Sequence, residues 1–419
     1  MAKAVPSAKQ LEWADLETGV LIHYLMDIYN PGYEGYKTKG VRTEMPPSIF
    51  RPSRLDPEQW VRSAYEMGAK YAVLVANHCT GFSLWQTKVN DYSCASIEWK
   101  NGKGDILREF IDACVKYGIK PGIYYSTGCN GYYDINDEEE QDYFSEKNRE
   151  YVRCVEAQLT ELWSEYGELF EVWFDGGIVP KEQGGPDVQA LLKKYQPDAV
   201  TFQGPNGYKN NLRWVGNEDG CAPENCWGAY TPGTDMPLTG DPFGQYWMPA
   251  ETDFPNRDNK RAFGGGWGWK EGEADTALSD KQLLDCYVNS VGRNTNMLIG
   301  MGIATDGQFE DEEQFIRFGR LLKKTFGTPV VSKKEIKGEK VTLINEKKCP
   351  LAYLVLCEDI TKGHTVLKYK VTADGEEIYA GECIGHKRII PLDGITPETV
   401  EVTVTEKDGD VTFRSAELF

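Results

Sequence analysis

The residues of this chain that could do chemistry stand at the ends of short apolar runs. Phe170-Glu171-Val172-Trp173-Phe174-Asp175 reads as a buried strand that ends on a carboxylate, with Gly176 and Gly177 directly after it. Trp173 and Asp175 are two apart, so both side chains leave one face of that strand. Parallel barrels place their chemistry at the C-terminal strand ends, which puts Asp175 at the rim. A second carboxylate, Glu218, follows the run from Leu212 to Val215 and Gly216, and a third, Glu251, follows Trp247-Met248-Pro249-Ala250. Two carboxylates at one rim are what hydrolysis of a glycosidic bond requires, one as nucleophile or base and one as proton donor. Taken singly, Asp175 equally suits a turn cap and Glu218 a solvated loop, and Glu218 and Glu251 compete for the second role. His78 suits either a ligand hydroxyl or the core, and Cys79 beside it suits burial. The run from Ala262 to Trp269, which contains Trp267, reads as an aromatic lid or as a long connection.

The elements that must position these groups follow a repeating order. Val20 to Met26 reads as the first strand, with His23 among apolar neighbours. Asp56-Pro57-Glu58-Gln59 starts a helix that Gly68 closes, and Lys70 to His78 is a strand covered on both faces. Ile106 to Tyr117 is a helix, Ile119 to Ser126 the third strand, Tyr151 to Tyr166 a helix and Phe170 to Asp175 the fourth strand. A helix from Val188 to Tyr195 precedes strand five, Ala199 to Gln203. The pattern loosens from Gly204 to Glu251, where Leu212 to Val215 and Tyr246 to Met248 are strand-like without a good helix between them. A capping box at Ser279-Asp280-Lys281-Gln282 opens a helix to about Arg293, Met297 to Met301 is the eighth strand, and Asp311 to Phe326 is the closing helix. The expected fold is therefore α/β: a (β/α)8-like TIM barrel over residues 1–328 with some helices missing. A linker is expected over about 329–340, and a small antiparallel β-sandwich over 341–419. Its strands are expected at Thr342 to Asn345, Ala352 to Cys357, Val366 to Thr372, Lys387 to Pro391, Val400 to Thr405 and Val411 to Arg414.

Composition narrows the function further. The 419 residues carry 46 Lys and Arg against 65 Asp and Glu, a formal charge of −19, which argues against nucleic acid and anionic membranes as partners. No run approaches a membrane span and the first residues lack an apolar leader, so a cytoplasmic location is expected for the sequence as given. The 11 cysteines are scattered without a Cys-x-x-Cys, and the four histidines are dispersed, so neither a disulfide framework nor a metal site is expected. No Gly-x-Gly-x-x-Gly joins a strand to a helix and no Gly-x-Ser-x-Gly is present, which leaves phosphate cradling and acyl transfer without candidates.

A set of motifs in order carries a resemblance. Ile22-His23, Gly81-Phe82-Ser83-Leu84-Trp85, Tyr124-Tyr125-Ser126, Trp173-Phe174-Asp175-Gly176, Ser290-Val291-Gly292-Arg293-Asn294 and Ile384-Gly385-His386-Lys387-Arg388 together resemble the retaining α-L-fucosidases of glycoside hydrolase family 29. Trp214-Val215-Gly216-Asn217-Glu218 is similar to the branch that prefers α-1,3/1,4-linked fucose. The resemblance implies Asp175 as nucleophile and Glu218, ahead of Glu251, as acid/base. It implies a sugar subsite lined by His23, His78, Trp85, Tyr125 and Trp173, with Cys79, Glu251 and Trp267 also in contact with substrate. It implies no cofactor, no metal, and an oligosaccharide or glycoconjugate as partner. One departure stands out: the family's Lys-His-His-Asp-Gly-Phe is here Asn77-His78-Cys79-Thr80-Gly81-Phe82. A thiol is a weaker donor and acceptor than imidazole, so Cys79 is expected to influence which sugar is accepted. Two other functions fit the motifs: a retaining glycosidase for a different sugar, and a glycan-binding protein without turnover.

Overall fold

Near-continuous apolar runs suit strands that are covered on both faces, and eight of them close here into a parallel barrel. The structure is a computed structural model that describes residues 3–33, 40–136, 142–231 and 238–419. The barrel strands are Thr18–His23 (β1), Tyr71–Asn77 (β2), Lys120–Tyr125 (β3), Glu171–Trp173 (β4), Val200–Phe202 (β5), Asn211–Trp214 (β6), Ala250–Pro255 (β7) and Asn296–Gly302 (β8). They pair in chain order, and β8 returns to β1 in a register running from Thr18 opposite Met297 to His23 opposite Gly302.

The flanking helices are Ala8–Leu16 (α1), Pro57–Met67 (α2), Ile106–Tyr117 (α3), Glu146–Glu165 (α4), Val188–Tyr195 (α5), Asp280–Ser290 (α6) and Glu312–Phe326 (α7). Asp56 Oδ1 accepts from the Glu58 and Gln59 amides at the start of α2, and Gly68 ends that helix at φ 101°. Helix α4 starts earlier than its apolar spacing indicates, because its first turn is polar and is capped by Ser145. Helix α1, held by a capping box between Ser7 and Gln10, brings the buried Trp13 beneath the barrel, where its carbonyl accepts from Asn296 Nδ2 at 2.7 Å.

Two expectations about element boundaries need correction. Tyr246–Trp247 does not enter the barrel; it pairs with Ala229–Tyr230 in a separate hairpin, and the seventh barrel strand begins at Ala250. The stretch taken as a linker over 329–340 is largely strand: Val331–Lys337 is an edge strand of the C-terminal sandwich, paired with Thr412–Leu418. Its exposed Lys333, Lys334 and Glu335 disguise it, and charge on an edge strand prevents further pairing. Glu376–Gly381, also unforeseen, is the exposed edge of the second sheet. The two four-stranded sheets close over a core that includes Leu343, Leu354, Leu356, Tyr369, Val402 and Phe413.

The sandwich is bonded to the foot of the barrel. His386 Nε2 lies 2.8 Å from Asp15 Oδ1 at the end of α1, and Arg414 Nη1 donates to the same oxygen at 2.5 Å. The His386 bond, followed by Arg414, holds the Asp15 carboxyl down at about 2, while burial holds the His386 imidazole below its ordinary 6.5. Both shifts act in one direction. Asp15 contributes fully above 3.8 and loses its contribution as the pH falls toward 2, and protonation of His386 favours the unfolded chain once the pH drops below 6.5. The thermal midpoint should therefore fall on acidification from about pH 7 to pH 3, and Asp15→Asn should flatten the steepest part of that fall, below about pH 4. Parallel midpoint curves for the two proteins would remove Asp15 from this account.

Candidate active site

Alternation along each strand sends every second side chain into the barrel, and the residues nearest the C-terminal ends collect at one mouth. There His78, Tyr124, Trp173 and Phe202 form a column of rings. Centroid separations are 5.7 Å for His78–Tyr124, 5.1 Å for Tyr124–Trp173 and 3.9 Å for Trp173–Phe202, with interplanar angles of 26°, 18° and 3°. Asp175 follows β4 by two residues, and the turn beyond it needs Gly176 and Gly177 at φ 67° and 82°. Tyr124 Oη donates to Asp175 Oδ2 at 2.8 Å. Glu218 stands on the loop after β6, where its Oε2 accepts from Trp267 Nε1 at 3.1 Å.

Asp175 and Glu218 line a single cavity of about 510 Å3, together with His23, His78, Trp173 and Trp267. Asp27, Phe202, Gln203, Trp214 and Asp253 complete its polar and aromatic walls. His23 Nδ1 is 3.2 Å from the Leu21 carbonyl, so that nitrogen carries the proton and Nε2 is left as an acceptor. Burial first, and then the neighbouring His78, push the His23 imidazole down to about 3, so it is neutral. Burial raises the Asp27 carboxyl. Asp253 is buried, accepts from Trp214 Nε1 at 2.6 Å, and is raised well above the usual carboxylate range by burial, with the charge of Glu218 adding to the effect. Three buried polar atoms in these walls have no hydrogen-bond partner: Asp27 Oδ1, His78 Nδ1 and Gln203 Oε1. Buried polar atoms are ordinarily paired, so this wall is built to receive hydroxyl or similar groups. Among the described residues no group of three or more His, Cys, Asp and Glu side chains is arranged to hold a metal ion.

Four residues expected in the site lie outside the cavity. Tyr124 points inward, so Tyr125 points out beneath α4, where its hydroxyl donates to Gln158 Oε1 at 2.6 Å. Trp85 is buried in the same outer layer and donates to Glu161 Oε2 of α4 at 3.0 Å. Cys79 is buried, its carbonyl accepts from the Gly131 amide at 2.7 Å, and it is not among the residues that line the cavity. Glu251 is fully buried below Trp173 and stands deeper in the barrel than Asp253, two residues further along the same face. Alternation from Glu251 could have found Asp253, and alternation from Trp173 and Phe202 marks their neighbours as outward. Gln203 and Asp27 left no comparable signal: Gln203 follows β5 at φ 48°, and Asp27 stands on a short 3-10 turn, Met26–Tyr29, beyond β1.

Trp267 reaches the site from the 262–269 run, along with Phe263, Gly264 and Gly268. Its indole lies 4.9 Å from the His23 ring and packs over Gly300, where a Cβ would come within 2.6 Å of the ring. Gly300→Ala should therefore displace the indole from Glu218 and lower kcat/KM on the order of 10- to 100-fold, with the fold retained. Unchanged kcat/KM, with near-ultraviolet dichroism reporting a moved tryptophan, would mean that Trp267 does not order the site.

Comparison with known proteins gives one consistent result. A family model described as Alpha-L-fucosidase matches residues 4–323. Alpha-L-fucosidase 1 of Arabidopsis thaliana is 33% identical over 326 residues, covering 74% of this chain, while this chain spans only 58% of that protein's length. Among solved structures, a candidate α-L-fucosidase from Bacteroides thetaiotaomicron matches with a TM-score of 0.90 and 30% identity over 99% of both chains. A glycoside hydrolase 29 family member from an unknown rumen bacterium matches with a TM-score of 0.84 and 27% identity, over 100% of this chain and 77% of its own.

Proposed function

Because the chain belongs to the α-L-fucosidase family, we propose that it is a retaining exo-glycosidase that releases terminal α-L-fucose from glycans. The observation that carries this reading is the pairing of Asp175 and Glu218 on one aromatic-walled cavity whose buried polar atoms lack partners. In the first step Asp175 Oδ1 attacks the anomeric carbon while Glu218 gives its proton to the departing glycosidic oxygen. The bond from carbon to Asp175 forms as the glycosidic bond breaks. In the second step Glu218, now a carboxylate, takes a proton from water. The resulting oxygen attacks the same carbon, and Asp175 leaves. The Tyr124 hydroxyl on Oδ2 turns the other Asp175 oxygen toward the sugar. His23 Nε2 accepts from one sugar hydroxyl, and His78, Asp27 and Gln203 take others.

The remainder of the substrate would occupy an adjoining cavity of about 700 Å3, which shares Gly176, Gln203 and Trp214 with the first. The α-1,3/1,4 linkage rests on the Trp214 to Glu218 motif. A second assignment of the proton donor is favoured by one observation: Asp253 lines the same cavity and is raised well above the usual carboxylate range by burial.

Asp175→Ala should lose several orders of magnitude in turnover on an aryl α-L-fucoside and recover part of it with azide, giving a fucosyl azide of inverted configuration. Substantial turnover by the variant without azide would end the nucleophile role. Replacing the proton donor should be mild on an activated aryl fucoside and severe on a natural glycan, because only the poor leaving group needs the proton. Glu218→Ala is expected to show that split and Asp253→Ala to lower both substrates alike; the opposite pattern reassigns the acid to Asp253.

A further inference from the structure

Beneath the cavity floor, two carboxyl groups face each other inside the barrel, Glu171 on β4 and Glu251 on β7, both fully buried. No cation is among the groups acting on either of them. Glu251 is the better-held member. Its Oε2 accepts from Tyr71 Oη at 2.7 Å and its Oε1 from Trp173 Nε1 at 2.9 Å. Neither Glu171 oxygen has another partner, so the facing Glu251 carboxyl is what Glu171 meets. Tyr71 is locked in turn, because its ring lies over Gly19, where a Cβ would fall 2.4 Å from the ring.

The consequence is felt above. The indole that Glu251 grips is sandwiched between Phe202 and Tyr124, and Tyr124 is the donor to Asp175. A rotation or drop of the Trp173 ring would carry Tyr124 with it and shift the hydroxyl that orients Asp175. We infer that Glu251 is a positioning residue for the reaction, anchoring Trp173 from below and through the Trp173–Tyr124 stack fixing the orientation of Asp175. This rests on the reading of Asp175 as nucleophile. Glu171 faces Glu251 in the same buried space and is the side chain that can donate a proton to it. Both carboxyls are raised, Glu251 chiefly by burial and Glu171 by burial followed by the charge of Glu251, so the pair retains a proton. Glu251 spends both oxygens as acceptors, which leaves that proton to Glu171. Thus Glu251 can remain the anion that two N–H and O–H donors require without a buried cation.

The test compares Glu251→Leu, Glu251→Gln, Tyr71→Phe and Asp175→Ala on an aryl α-L-fucoside. Glu251→Leu should lower kcat on the order of 10- to 100-fold with KM nearly unchanged, and it should move the Trp173 indole N–H resonance upfield. Glu251→Gln keeps a carbonyl for that N–H and should recover most of the loss. Tyr71→Phe guards against a Leu variant that fails to fold: it frees one Glu251 oxygen and should lower kcat severalfold, again without a change in KM. A folded Glu251→Leu with a displaced indole resonance and wild-type kcat would overturn the positioning role. So would a loss confined to KM, or a Tyr71→Phe enzyme identical to wild type. Full activity in Asp175→Ala would instead overturn the functional reading on which the inference stands.

Discussion

The stacked rings that fill the barrel mouth are the contact on which the placement of the reactive groups depends. A parallel barrel must fill its interior with side chains, and here adjacent strands supply planar rings that meet face to face. Planar stacking fixes orientation more narrowly than aliphatic packing does, and each ring carries a polar edge that packing cannot satisfy. Those edges determine the rest. The indole N–H of Trp173 is met from below by a buried carboxylate, and the Tyr124 hydroxyl is met at the rim by Asp175. His78, which lines the cavity, keeps a buried ring nitrogen without a partner. The floor of the site is thus polar in a few fixed places and apolar elsewhere, as suits a sugar with one hydrophobic face.

The opposite wall is organised differently. Glu218 sits on a long connection between β6 and β7, and its neighbouring residues are held from outside the barrel. The Gly228 amide donates to His364 Nε2 at 2.7 Å, and Tyr379 Oη donates to Glu224 Oε1 at 2.6 Å. Arg388, almost entirely buried, pairs with the same Glu224 carboxylate. All three partners belong to the sandwich. Asp175 is therefore placed by a barrel strand, and Glu218 by a loop clasped by a second domain.

Much of this was legible in the amino-acid order. The strands of a parallel barrel are apolar on both faces, so their runs and the capped helices between them are conspicuous, and both rim carboxylates follow from strand ends. The same double burial hides which side chains point inward. In Tyr124-Tyr125 both residues are aromatic and both are buried, yet one donates to Asp175 at the mouth and the other packs beneath a helix. Trp85 lies in the connection after β2, where no alternation marks it as packing against α4. Depth along a strand is equally hidden: placing the seventh strand a few residues early lifted Glu251 toward the rim and passed over Asp253. The edge strand Val331–Lys337 escaped notice because its charges, which protect an exposed edge, are also what a linker displays.

The clasp on the 221–231 loop bears on inheritance. The family match ends at residue 323, so the sandwich lies outside the segment by which the barrel is recognised. Yet Glu224 in the matched segment is bonded to Tyr379 and Arg388 beyond it. A lineage that exchanged its C-terminal domain for an unrelated one would therefore leave the Glu218 loop without its clasp, even with every barrel residue preserved. To keep the loop clasped, an exchange at this boundary would have to supply a partner for Glu224 in place of Tyr379 and Arg388.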